Sequence, residues 1–216
     1  MKTASPRLSR PSKMPCKTWS LPAWDTCPGS REEGTANAVP ACQLCYARGG
    51  RYVMKNVRAP RDYNLIDWQA NGWVAAMVAL IGRDKYFRWF DSGDVYSAQL
   101  AGKILRVIQA TPNCEHWVPT RSHKEEDIRP ILERMALEPN AVVRWSSDSI
   151  TGETLDTEHS STIIRTAEDF TPEVGSVLCR ASERKGKCKS CRACWKKEIR
   201  VIFYPAHGQK VKKAYA

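Results

Sequence analysis

"YFRWFDSGDVYSAQLAGKILRVIQATPNCEHWVPT", residues 86–120, holds the pattern that decides the fold. YFRWF (86–90) is short, aromatic and bounded by polar residues, as a buried strand is. SAQLAGKILRVIQA (97–110) carries apolar residues at helical spacing behind Ser97, a residue suited to capping a helix. EHWVPT (115–120) reads as the next strand. Strand, helix and strand in close succession imply parallel strands joined by a crossover helix.

The same alternation continues outward. EEDIRPILERMAL (125–137) reads as a helix and AVVRW (141–145) as a third strand, with further strands at 162–167, 175–179 and 198–206. Upstream, Leu65, Ile66, Trp68, Trp73, Val74, Met77, Val78 and Ile81 predict one helix from Asn64 to Ile81 despite Gly72. The expected fold is α/β, a partial (β/α) barrel with parallel strands. Residues 1–17 have the composition of a flexible basic arm, 18–178 form the core, and 179–216 make a cysteine-rich basic segment with a closing strand.

The chain has 216 residues, enough for one well-cored domain, and its hydrophobic fraction of 42% with eight tryptophans suits a globular protein. No apolar run approaches the roughly 18 residues of a membrane span, so no membrane partner is expected. The basic N-terminus is not followed by the apolar stretch of a secretory signal, which points to the cytoplasm. The net charge of +11 is uneven: residues 180–216 carry +10 and residues 1–20 carry +5, which leaves 21–179 at −4. A uniformly basic nucleic-acid coat is excluded, although the basic ends are candidate nucleic-acid contacts.

In parallel α/β folds, sites form beyond the carboxyl ends of the strands. Asp91-Ser92-Gly93-Asp94, Thr120-Arg121-Ser122-His123 and Ser146-Ser147-Asp148-Ser149 follow three successive strands. Such Ser and Asp residues either cap the next helix or line a site, and Gly93 would let a ligand approach the backbone.

Nine cysteines in a chain without export signals point to metal. Cys27, Cys42 and Cys45 make C-x14-C-x2-C, three soft ligands that leave a coordination position open unless Cys16 closes the site. Cys179, Cys188, Cys191 and Cys194 place four ligands in sixteen residues with the C-x2-C-x2-C spacing of cubane clusters, while zinc is the alternative. The lysines and arginines around the second group serve either to neutralise its thiolates or to bind nucleic acid. Trp195, Tyr46 and Trp19 lie beside these groups and are expected either to exclude water from them or, by default, to pack in the core, and Cys114 is expected to be a buried small hydrophobe. His116, His123, His159 and His207 show no paired metal spacing, and no glycine-rich phosphate loop or Ser-His-Asp signature is present.

"TWSLPAWDTCPG", "ACQLCYARGGRY", "FRWFDSGDVYS", "VPTRSHK", "VVRWSSDS" and "CKSCRACW" together resemble the phage gene-product-88 family from about residue 18 to 205. That pattern is in turn similar to radical S-adenosylmethionine (radical SAM) enzymes. The resemblance implies a radical-SAM-like partial barrel in which Cys27, Cys42 and Cys45 hold a [4Fe-4S] cluster. It further implies that Ser92, Gly93, Asp94, Arg121, Ser122, Ser146 and Asp148 bind S-adenosylmethionine, and that Cys179, Cys188, Cys191 and Cys194 form a second, auxiliary cluster-binding insert. This sequence has C-x14-C-x2-C where those enzymes have C-x3-C-x2-C, and SGD where they have GGE.

On this reading the protein is a phage-type iron–sulfur protein with radical SAM activity, working in the host cytoplasm on an unassigned substrate with a reductant protein. The alternative is a non-catalytic, zinc- or cluster-stapled nucleic-acid-binding protein in which Cys16, Cys27, Cys42 and Cys45 close one site.

Overall fold

The structure, a computed structural model, describes residues 3–207. The described strands are β1 (Leu8–Ser9), β2 (Lys17–Trp19), β3 (Tyr86–Trp89), β4 (Glu115–Thr120), β5 (Ala141–Ser146), β6 (Ser160–Ile164), β7 (Ser176–Leu178) and β8 (Val201–Pro205). They form one sheet in the order β1-β2-β3-β4-β5-β6-β8-β7, parallel throughout except for the antiparallel β1–β2 pair. The parallel α/β expectation is met as this sheet, with β1 and β7 as its two edges. Periodicity reports parallel pairing; barrel closure depends on tilt and stagger, which it does not encode.

The helices are α1 (Pro40–Gln43), α2 (Lys55–Asp67), α3 (Trp73–Ile81), α4 (Ala98–Gln109) and α5 (Arg129–Leu137). Ser97 caps α4 as expected, accepting from Leu100 N at 3.2 Å. The single helix expected over 64–81 is instead the end of α2 and all of α3. Gly72, at φ 83°, turns the chain into the left-handed region between them, which an α-helix cannot continue through. Helix α5 begins at Arg129, later than expected: residues 125–128 form a turn, and Pro130, which lacks an N–H to donate, sits in the helix's first turn.

Helices α3, α4 and α5 cover one sheet face. Trp73, Met77, Leu100, Ile104, Ile108, Leu132 and Met135 pack there against Trp19, Phe87, Trp89, Val118 and Val143. Trp19 therefore belongs to this core, its ring 5.2 Å from Trp73, and does not shield the cysteine groups. Cys114 is buried in the same core, as expected.

Residues 3–17 do not behave as the expected free arm. Ser5 N donates to Asp67 Oδ1 at 2.9 Å, Arg7 N donates to Asn64 Oδ1 at 2.8 Å, and β1 pairs with β2. Buried Asp67 and Asn64 on α2 thus satisfy a backbone that composition alone marks as solvated. Residues 1–2 of that arm, and the 208–216 end of the basic segment, lie outside the described residues.

His116 on β4 is fully buried beneath the helices. Trp89 Nε1 donates to its Nδ1 at 3.2 Å; an indole only donates, so the ring proton sits on Nε2 and meets Thr111 Oγ1 at 2.8 Å. Burial pushes its pKa from 6.5 down to about 3. The folded protein therefore keeps this ring neutral where the unfolded chain protonates it, so its stabilising contribution is complete above pH 6.5 and is lost as pH falls toward 3. Denaturant titrations between pH 6 and 4 should show the parent losing about 1.4 kcal/mol per pH unit more than His116→Gln. Parallel stability curves for the two proteins would refute the assignment.

Candidate functional site

The first cysteine turn is assembled by backbone contacts at the carboxyl ends of the strands. Leu21 N donates to Ser92 O at 3.1 Å and Asp94 N to Thr26 O at 2.9 Å, which lays residues 21–26 along the loop after β3. Gly93, at φ 73°, makes this approach possible. A Cβ there would stand 2.7 Å from both Leu21 Cβ and Thr26 Oγ1. The glycine thus admits the protein's own chain, where the sequence suggested a ligand. Gly29 does the same beneath β4, where a Cβ would meet Arg121 O at 2.1 Å.

Cys27 lies at the start of the 3-10 turn Pro28–Ser30, whose Ser30 Oγ donates to Cys27 O at 2.6 Å. Cys42 lies on α1, which is tied to the loop after β5 by Ala41 N donating to Asp148 O at 3.0 Å, and Cys45 N donates to Cys42 O at 3.2 Å. The three thiols are electrostatic neighbours. Burial pushes Cys27 up to about 12, with Asp94, Cys45 and Cys42 adding to the rise. Burial also raises Cys42, with Cys45, Asp148 and Asp94 adding to the rise and Arg121 opposing it. All three cysteines and the Asp94–Arg121–Asp148 row therefore share one neighbourhood. As the side chains stand, no three His, Cys, Asp or Glu among the described residues form a group that could hold a metal ion.

Asp94 is the hub of that row. Its Oδ1 accepts from Val95 N and its Oδ2 from Arg121 N, both at 2.8 Å, with the Thr120 hydroxyl also donating. Burial still pushes its carboxyl up to about 6 against these bonds. Arg121 donates from Nη2 to Ser147 O at 2.7 Å and pairs through Nε with Asp148 Oδ1 at 3.4 Å; Lys124 pairs with the other Asp148 oxygen. Ser146 and Asp148 line a cleft of about 480 Å³ with Pro40, His123, Lys124 and Leu155. Ser122 is fully buried, and its Oγ has no partner among the described residues. Ser92 is spent internally, donating to Leu21 O at 2.8 Å and accepting from Arg61 Nε at 2.6 Å. None of the three strand-end clusters caps a helix of the crossover.

The second cysteine group covers the opposite sheet face. Cys188, Cys194 and Trp195 pack with Met14, Cys16 and Trp117, as expected of Trp195. Cys188 senses Cys179 and Cys191, Cys194 senses Cys179, and Cys16 senses Cys188. Cys16 thus joins the C-terminal group and not Cys27, Cys42 and Cys45, because β2 carries it to this face. The segment is held down by Arg144 on β5, fully buried, which donates to the carbonyls of Ala193, Cys194, Lys196 and Ile199 at 2.9–3.1 Å.

Two further features escaped the sequence reading. Arg61 on α2 donates from Nη2 to both Asp91 oxygens at 3.0 Å, and Ser20 Oγ also donates to that carboxylate. Arg88 lies 4.3 Å over the Trp117 ring. An arginine inside each of the apolar strands YFRWF and AVVRW was the available signal for Arg88 and Arg144. Tyr46 is 55% exposed, so it does not shield the thiols; its hydroxyl donates to Asp91 O at 2.8 Å.

The model of the family described as gene product 88 matches residues 1–197, and the chain belongs to that family. No curated protein and no solved structure matches it.

Arg61→Met leaves Asp91 buried without its cation and should cost about 3–5 kcal/mol in denaturant unfolding, with Asp91→Asn in the same chain recovering part of the loss. An additive double variant would show that the pair is not coupled. Gly93→Ala combines a left-handed backbone with a close contact and should cost roughly 2–5 kcal/mol by the same measurement. A loss below about 1 kcal/mol would mean that the loop relaxes freely.

Proposed function

We propose that this family member is an iron–sulfur protein in which Cys27, Cys42 and Cys45 hold an open [4Fe-4S] cluster that works with S-adenosylmethionine. The observation that carries the reading is that the Cys27 turn and the Cys42–Cys45 turn share one electrostatic neighbourhood beside Asp94 at the carboxyl ends of parallel strands, although the side chains as they stand form no metal-holding group among the described residues. Cys16 sits with the other group, which keeps the first at three ligands.

The chain's own contribution is orientation and dryness. Burial keeps the Cys27 and Cys42 thiols protonated when free, so loading must release their protons. Asp94 and Arg121 fix the floor of the site through backbone contacts, while Ser146, Asp148 and Lys124 face the adjoining cleft, where S-adenosylmethionine would lie. When bound, the cluster would supply the electron that cleaves the sulfonium of that cofactor, drawn from a reductant protein. Cys179, Cys188, Cys191 and Cys194 would hold the second cluster, with Arg144 and the surrounding lysines and arginines offsetting its charge.

Protein reconstituted anaerobically with iron and sulfide should be brown, and the Cys27, Cys42, Cys45 triple alanine variant should lose about half its iron. Cys16→Ala should keep the iron of the first group. Reduced, loaded protein given S-adenosylmethionine should release 5′-deoxyadenosine. A colourless zinc protein would sink the reading; iron without that product would reduce it to a structural or electron-transfer role.

A further inference from the structure

We propose that the rim beside the first cysteine turn, residues 46–58, binds single-stranded nucleic acid. Between Glu33 and Asp62 the chain has no acidic residue, yet Arg48, Arg51, Lys55, Arg58 and Arg61 all fall there. Two of these are paired with carboxylates: Arg61 with Asp91 in the interior and Arg58 with Asp62 on the helix surface. Arg48, Arg51 and Lys55 are exposed and, among the described residues, make no ion pair. Three unneutralised cations on one short stretch form a counter-surface for phosphates.

Charge alone would equally suit an acidic protein; the rings decide between them. Tyr46, Val53 and Met54 are each 55% exposed on the same stretch. Tyr46 is also held in place, by its hydroxyl on Asp91 O at 2.8 Å and by the Tyr52 ring at 5.3 Å, so its exposed face costs little entropy to use. Trp24 carries the guanidinium groups of Arg31 and Arg48 at 4.2 and 4.0 Å, placing planar cations beside the same rim. Fixed aromatic faces interleaved with arginines bind unpaired bases by stacking and their backbone by charge. A duplex keeps its base faces stacked inside and would leave Tyr46 unused. The assignment rests on charges and rings alone, so it holds whether or not the cysteines carry iron.

Fluorescence anisotropy of a short labelled oligothymidine, titrated with the full-length protein over a salt series, tests the assignment. The Arg48→Ala, Arg51→Ala, Lys55→Ala triple variant should lower the slope of log affinity against log salt by about 2, at roughly 0.7 for each phosphate no longer neutralised. Tyr46→Ala should weaken binding roughly fivefold or more, while Tyr46→Phe, which keeps the ring but not its tie to Asp91, should lose clearly less. Alanine at Lys185, Lys187 and Lys189 should leave the slope unchanged. Circular dichroism of each variant establishes that it is folded. The proposal is overturned by an absence of binding at low salt, an unchanged slope in the rim variant, a loss confined to the C-terminal variant, or full affinity in Tyr46→Ala.

Discussion

The carboxylate of Asp94 joins the ends of β3 and β4, and the first cysteine turn depends on that junction. Its backbone N–H holds Thr26, one residue before Cys27, while its side chain takes the N–H of Arg121 and the hydroxyl of Thr120. A carboxylate buried this deeply is tolerated because three donors replace the lost water. Gly93 must precede it, since any larger residue would push residues 21–26 away. The three-residue sequence that suggests a ligand loop is thus first a device for seating one cysteine of the thiol group.

The two sheet faces solve different problems. On the helix face, large apolar side chains from α3, α4 and α5 exclude water in the ordinary way. The other face has a thin cover of 3-10 turns and cysteines, whose backbone groups find few partners in regular structure. Arg144 meets that need by donating to successive carbonyls of the 193–199 segment. It is a buried cation stabilised by dipoles, with no carboxylate in its ion-pairing range among the described residues.

Charge is divided along similar lines. Near the thiols the cations are engaged, Arg61 by Asp91 and Arg121 by Asp148, and they order the loops. On the rim at residues 46–58 they are turned to solvent beside Tyr46, Val53 and Met54. Helix α2 thus braces the site with Arg61, while residues 46–58 present a cationic, aromatic surface.

Parallel strands, the cap at Ser97, the burial of Cys114 and the division of the cysteines into an early and a late set were all legible in the residues, because each is a matter of local periodicity or spacing. The break at Gly72 was legible as well, since a glycine within a helical pattern costs about 1 kcal/mol against alanine. The docking of residues 3–17, the pairing of Arg61 with Asp91, the grasp of Arg144 on the late cysteine turns and the allegiance of Cys16 were settled only in three dimensions. Each joins residues dozens of positions apart, and for such pairs composition and spacing specify which groups need partners without specifying which partners the folded chain brings to them.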